Sequence, residues 1–503
     1  MIQDSESVPM GATLERDVCI VGAGPAGITL ARELDQAGRS VCLLESGGFD
    51  YEVSSQELYL GKRPSGLLSH IPNYLSDSRV RMFGGSTNHW TGYCRPLDAV
   101  DFQERSWVPN SGWPFGLDEL RPFYRRAAPL LQIQSFDFPL TDLSRQPLAF
   151  DRAIGIETSL YQKSPPTNFG RVYRQSLENS RGVEVLLHAN AVDLETDANA
   201  SLVKTVEVAS LSGRRFRVRA KRFVLAAGGL ENPRLLLSAN SVRPKGLGND
   251  HDVVGRYFME HLYGKDGVGF AFFIESPSEL DLYLQEKADG VLAAQHVAVF
   301  SLSPELQQKN RLPNHQFRIF RREAPMPDDA ISRAVGATTV DVGRAAGLRP
   351  RHGAGSQVAL IELGADLAPA RENRVSLDDT VDALGLRRLR LRYELTSLDR
   401  ESIERGALVF AIALGQSLHA RVNLQLQGGF RFSEHGRHHI GTTRMHRDPK
   451  LGVVDADGRV HGVQNLYIAG SSVFPTAGRA NPTFTLVALA LRLADHLKRE
   501  LAA

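Results

Sequence analysis

Two stretches toward the C-terminal end carry side chains suited to acid–base chemistry. One reads Arg437-His438-His439-Ile440-Gly441-Thr442-Thr443-Arg444-Met445, the other Asn481-Pro482-Thr483-Phe484-Thr485. An imidazole titrates near neutral pH, so it can take the proton of a hydroxyl group. Asn481 and Pro482 occupy the N-cap and first helical positions of a helix expected to run to about residue 497. The start of such a helix carries a partial positive charge that steadies an anion, and the Asn481 amide could hydrogen-bond a substrate hydroxyl. Taken alone, the histidine pair also fits a packed loop and Asn481 a plain cap.

A third stretch is Arg81-Met82-Phe83-Gly84-Gly85-Ser86-Thr87-Asn88-His89-Trp90-Thr91-Gly92. Its density of glycine, small hydroxyls and aromatics fits backbone pressed against a ligand better than a surface turn.

The element able to organise these residues lies near the N-terminus. Asp17-Val18-Cys19-Ile20-Val21 leads into Gly22-Ala23-Gly24-Pro25-Ala26-Gly27, and Val41-Cys42-Leu43-Leu44-Glu45 follows. This reads as strand, tight turn, helix, strand. Gly22, Gly24 and Gly27 fit the G-x-G-x-x-G fingerprint: one glycine for the turn, one for approach of a pyrophosphate, one for close helix packing. The helix N-terminus offers N–H groups to phosphates, and Glu45 stands where an acid accepts hydrogen bonds from a ribose. A bound dinucleotide cofactor follows from the combination. If that cofactor is a flavin oxidising an alcohol, three things are needed: a base for the hydroxyl proton, contact of the carbinol carbon with flavin N5, and positive charge near the reduced ring.

The chain has 503 residues, which exceeds one compact core and implies at least two domains. Its formal charge of +2 and lack of a long basic run argue against a dedicated nucleic-acid binder. No run reaches the ~18 apolar residues of a membrane span. Residues 1–16 are polar and lack a signal-peptide core. The three cysteines, Cys19, Cys42 and Cys94, show no metal-ligand spacing. A reduced, cytoplasmic protein without a metal is expected.

Between the motifs, residues 46–78 read as loop and polar segment, and 117–128 as a helix. Strands are expected at 183–187, 191–194 and 216–218. A further strand at 222–225 ends in Ala226-Ala227-Gly228-Gly229 and leads into a helix over 232–239, with Pro233 in its first turn. From 265 to 430 the texture becomes alternating, as at 316–320, 358–362 and 389–393, with a helix at 397–418, which suits an antiparallel sheet. The glycine- and arginine-rich run 336–355 reads as a mobile loop. A strand at 465–469 precedes Gly470-Ser471-Ser472, so the nucleotide domain is assembled from separated pieces of chain.

Together these motifs resemble the glucose-methanol-choline (GMC) family of flavoproteins, in a shorter bacterial form. The resemblance rests on the fingerprint with Glu45, Gly84-Gly85, 226–229, the H-x-x-G-T-x-R-M pattern and Asn481-Pro482-Thr483 after a Gly-Ser-Ser-Val-Phe-Pro loop. It covers both ends of the chain and is loose over 265–430. It implies an α/β fold: a discontinuous FAD-binding Rossmann-like domain over 1–105, 181–264 and 431–503, and a substrate domain built on an antiparallel sheet over 106–180 and 265–430. It implies that His438, three residues before Gly441, is the catalytic histidine and Asn481 its partner. FAD contacts are implied at Gly22, Gly24, Gly27, Glu45, Gly84, Gly85, Asn88, His89, Ala226, Gly470, Ser471, Pro482 and Thr483, with Val192 holding the adenine end through its backbone.

The segment Gly84 to Thr91 also resembles that of pyranose 2-oxidases, in which a histidine at the position of His89 carries the flavin covalently; Asn88 stands where that pattern has threonine. The implied reaction is oxidation of a CH–OH group of a sugar, glycoside or other small alcohol, with dioxygen, a quinone or a protein as final electron acceptor. A lyase on the same scaffold and a non-catalytic flavin or electron-transfer protein are the alternatives.

Overall fold

The computed structural model describes all residues except 138–142, 144–145, 265–267, 274–277, 285–295, 322–357, 418, 425–431 and 503. The run 336–355 lies outside the described residues.

The fingerprint strand, Thr13–Val21, sits inside an eight-stranded sheet. Val41–Leu44, Val183–Leu187 and Ile2–Asp4 extend the sheet on one side, all parallel. On the other side Thr13–Val21 pairs in parallel with Arg215–Leu225. That eleven-residue strand changes partners along its length. Its first half pairs antiparallel with Val203–Ala209, which pairs on to Asn190–Thr196, and its last residues pair in parallel with Leu466–Ile468. The two strands expected at 216–218 and 222–225 are therefore one. The half-exposed Ala220 and exposed Lys221 between them break the apolar pattern without breaking the ladder. Val18, Cys19, Ile20, Val41, Phe223 and Val224 are fully buried, as a covered parallel sheet requires.

Two helices cover the sheet beside the turn. Pro25–Gln36 follows the fingerprint, and Pro482–Glu500 closes the chain on it. Leu117–Leu130 packs on the latter helix, where the Tyr124 and Thr485 hydroxyls lie 2.7 Å apart. The helix expected at 232–239 begins four residues earlier, as Gly228–Ser238, with Pro233 inside it. Proline cannot donate to the carbonyl four residues back, here that of Gly229. The Thr442 hydroxyl donates to that carbonyl at 2.6 Å in a fully buried site, so no acceptor is orphaned. Residues 46–78 are not uniform loop: they hold short helices at Val53–Glu57 and Tyr74–Asp77 and a two-residue strand, Ser65–Gly66.

Among the described residues the second sheet has nine strands, all antiparallel, in the order Ala420–Leu424, Gly269–Phe273, Val358–Ala365, Gln316–Arg321, His296–Leu302, Ile156–Lys163 and Tyr93–Cys94; Leu262–Gly264 joins at Val358–Ala365 and carries Phe432–His435. The helix Ser397–Gln416 starts in a capping box of Thr396 and Asp399 and stacks Phe410 on Phe317 at 4.0 Å. A smaller sheet joins Arg374–Val381 to Arg387–Tyr393. Three short strands, 93–94, 262–264 and 432–435, lie within the ranges assigned to the FAD domain yet pair into the nine-stranded sheet. Each is a crossing point of the chain between the two sheets. Cys19, Cys42 and Cys94 are buried free thiols. Among the described residues no helix is long and apolar enough to cross a membrane.

Replacing Thr442 with valine should leave the Gly229 carbonyl unpaired and cost about 1–3 kcal/mol of stability. Chemical denaturation measures this; an unchanged midpoint would show that the bond is idle.

Candidate active site

A cavity of about 520 Å³ runs from the fingerprint turn to the His438 segment. At the turn, the three glycines play distinct parts. Gly22 has φ +103°, and a Cβ there would lie 2.7 Å from the Ala226 carbonyl oxygen. A Cβ on Gly27 would fall 1.9 Å from the Gly22 carbonyl oxygen, so only glycine lets the helix sit this close. A Cβ on Gly24 would meet nothing within 4 Å, because Gly24 faces the cavity. The helix beginning at Pro25 has no side-chain cap at its N-terminus, which leaves its first N–H groups for a ligand.

Glu45 is buried at the end of its strand and accepts from the N–H of Ala23 at 2.9 Å and of Gly47 at 3.0 Å. Burial pushes its carboxyl above the usual range, against those donors. Beyond it stands a group absent from the sequence-level site. Burial raises the Glu231 carboxyl, but the guanidinium groups of Arg234, Arg79 and Arg81 outweigh this and hold it at about 2. Arg234 also pairs with Asp382 at 2.7 Å, and Arg79 and Arg81 both lie over the Tyr59 ring. Three cations thus face two carboxylates along this wall, which favours an anion such as a pyrophosphate. A glycine cradle, a bare helix start and a cationic wall fit the diphosphate half of FAD.

Farther along, Gly84 and Gly85 press the third stretch onto the turn. The Gly84 N–H donates to the Ala23 carbonyl at 2.9 Å, and a Cβ on Gly85 would lie 2.9 Å from the Gly24 Cα. Asn88 holds this loop together: its amide donates to the Phe83 and Gly85 carbonyls and accepts from Asn168. Gly27, Gly84, Asn88 and Val192 support the cavity without lining it. Its wall at the adenine-side strand is Ala189, Asn190 and Ala191; Val192 comes next, at an irregularity in the strand pairing. Gly22, Glu45, Gly85, His89, Ala226, Gly470, Ser471, Pro482 and Thr483 all line it. His89 lines the cavity with part of its ring covered, and that desolvation together with the Arg437 charge lowers its imidazole below the usual range.

His438 and Asn481 line the same cavity. The Asn481 side chain makes no capping hydrogen bond, so its amide is not spent on its own helix. His439 is buried and packs edge-on against Tyr74, at 5.6 Å between ring centroids. The pattern around them has a mechanical reading. The N–H groups of Gly441, Thr443 and Met445 donate to the carbonyls of Ser471, Ser472 and Val473, and the Ser471 hydroxyl donates to the His439 carbonyl at 2.8 Å. Gly441 has φ +86°, and a Cβ there would strike the Tyr257 carbonyl oxygen at 2.4 Å.

Behind His438 lie two residues with no sequence signal, Glu260 and His261. One Glu260 carboxyl oxygen accepts from the His438 N–H at 2.7 Å and the His261 N–H at 2.9 Å. The Tyr74 hydroxyl donates to the other. Burial pushes Glu260 up to about 8, so it adds little negative charge at neutral pH. The His261 ring meets the His438 ring at Nδ1–Nδ1 2.9 Å and the Gly478 carbonyl through Nε2 at 2.9 Å. No short motif carries Met259-Glu260-His261, and only the folded chain brings it to His438.

Comparison with known proteins agrees with this geometry. Residues 17–341 match the FAD dependent oxidoreductase family and residues 369–490 the GMC oxidoreductase family. The chain belongs to the GMC-type FAD-dependent oxidoreductases. Within that group it is 24% identical to the fructose dehydrogenase large subunit of Gluconobacter japonicus, over 97% of this chain and 99% of the relative. It is 25% identical to 2-methyl-1,2-propanediol dehydrogenase of Mycolicibacterium austroafricanum, over 96% and 95%. Among solved structures, pyridoxine 4-oxidase from Mesorbium loti superposes with a TM-score of 0.57 at 20% identity, covering 96% of this chain and 99% of that one. The GMC fold, with its FAD-binding Rossmann-like domain and second domain, is therefore the fold of this chain.

The pyranose 2-oxidase-like segment implies covalent attachment at His89, while in other family members a similar segment only packs on the ring; covalent attachment predicts that protein precipitated with acid keeps its yellow colour. Full release of flavin into the supernatant would contradict it.

Proposed function

We propose that this enzyme oxidises a CH–OH group of a sugar, glycoside or related polyol to a carbonyl. The observation that carries the reading is that His438 and Asn481 border one cavity with the nucleotide-binding turn. FAD, when bound, supplies the hydride acceptor. The residues of the chain do the rest. His438 takes the hydroxyl proton, which turns the alcohol into a far better hydride donor. The Asn481 amide orients the hydroxyl. The N-terminus of the helix Pro482–Glu500 favours negative charge beside it.

The far wall supports a hydroxyl-rich substrate. Tyr93, Tyr161 and Tyr263 offer ring faces and edges to C–H groups. Gln316 and Arg318 stand on the same face of the strand Gln316–Arg321. The Arg318 guanidinium lies 4.1 Å over the Tyr263 ring and pairs with Glu362, while its buried Nε has no partner. A neutralised arginine–carboxylate pair offers donors and acceptors together, which suits neighbouring hydroxyls better than a bare anion. The relatives named for fructose and for a 1,2-propanediol point to the same class.

Anaerobic mixing with a panel of sugars, glycosides and simple alcohols should bleach the flavin. His438→Ala should slow that bleaching by ~10²-fold or more; an unchanged rate would remove His438 from the reaction. Arg318→Ala should raise KM for the best sugar by roughly 10- to 100-fold with a much smaller change in kcat, as loss of charged hydrogen bonds requires. Equal KM values would place the substrate elsewhere.

A further inference from the structure

We infer that His261 is a positioning residue: it holds the His438 proton on Nδ1 and so keeps Nε2 as the basic nitrogen. The inference rests on the reading of His438 as the base and adds how that base is prepared.

The Gly478 carbonyl can only accept. The His261 Nε2 beside it, at 2.9 Å, must therefore carry the N–H. A neutral imidazole has one N–H, so the His261 Nδ1 is an acceptor. The His438 Nδ1 at 2.9 Å must then be the donor. His438 has no second proton in its neutral form, and its Nε2 is left with a lone pair. The reverse arrangement would set two lone pairs against each other at Gly478 and leave a buried carbonyl unpaired.

Three features keep the relay in this sense. His261 is 2% exposed, and burial lowers its imidazole to about 4, so it stays neutral across the working range. The neighbouring acid, Glu260, is itself pushed up by burial, so it does not draw a second proton onto the pair at neutral pH. Tyr74 faces Glu260 from the short helix Tyr74–Asp77, and the charge of exposed Arg437 draws the Glu260 carboxyl down without overcoming its burial. Both histidine backbones hang from one Glu260 oxygen, and the rings cross at 84° with centroids 5.0 Å apart, so the contact is held from two sides.

Imidazole nitrogen–proton correlation spectra of the FAD-loaded, ¹⁵N-histidine-labelled protein report the tautomers directly. Signals are assigned by their loss in His438→Gln and His261→Gln. His438 is expected as the Nδ1–H form and His261 as the Nε2–H form. In His261→Ala, His438 should shift toward Nε2–H, and anaerobic flavin reduction should slow roughly tenfold or more, with flavin content and substrate Kd unchanged. An Nε2–H form of His438 in the unmodified protein would overturn the proposal, as would an unchanged tautomer and rate in His261→Ala. The spectrum of the unmodified protein decides the matter even if that variant does not fold. Normal flavin reduction by His438→Ala would refute the base reading instead, leaving the tautomer assignment as it stands.

Discussion

The structure depends on one continuous line of backbone hydrogen bonds that joins the C-terminal segments to each other and to strands far earlier in the chain. The segment of Gly441, Thr443 and Met445 is laced to Ser471–Val473. Just upstream, Leu466–Ile468 pairs with the end of Arg215–Leu225, which pairs with Thr13–Val21, the strand that delivers Gly22 and Gly24. Through these pairings His438 is fixed relative to the nucleotide turn by short, directional bonds in a buried interior. Thr442, Thr443 and Ser472 are fully buried, so water does not compete for them. The threonines and serines of these loops thus have a structural purpose: they satisfy polar backbone where the sheet ends and the cavity begins.

The cavity has two electrostatic characters. One wall is cationic, with Arg79, Arg81 and Arg234 gathered on Glu231. Behind His438 it is held near neutral, because burial keeps His261 unprotonated and drives Glu260 toward its acid form. The first suits a dianionic cofactor. The second places no full charge directly behind His438, on the side away from the cavity.

What was legible in the sequence followed from local backbone demands. Gly27 is forced by the Gly22 carbonyl within its own strand-turn-helix unit, Gly22 takes a φ of +103° in the turn itself, and Asn481-Pro482 announces a helix start by types alone. The H-x-x-G-T-x-R-M spacing points to His438 over His439 through family resemblance alone: both border the cavity, His438 meeting His261 and His439 packing on Tyr74. Features set by distant partners were not legible. Arg215–Leu225 read as two strands because its partner changes midway. The helix Gly228–Ser238 read as starting late because Pro233 signals a first turn, and only Thr442, far along the chain, makes it tolerable in the interior. Glu260 and His261 gave no signal, since their role exists only once residue 438 is beside them.

The proposed chemistry requires that the two ends of the chain enclose one FAD, with its ring at His438. A crystal structure of the FAD-loaded protein tests this most directly. The diphosphate is expected at Gly24 and the isoalloxazine ring between the Gly85–Thr91 segment and the pair His438 and Asn481. A ring lying away from both side chains, or a flavin outside this cavity, would contradict it.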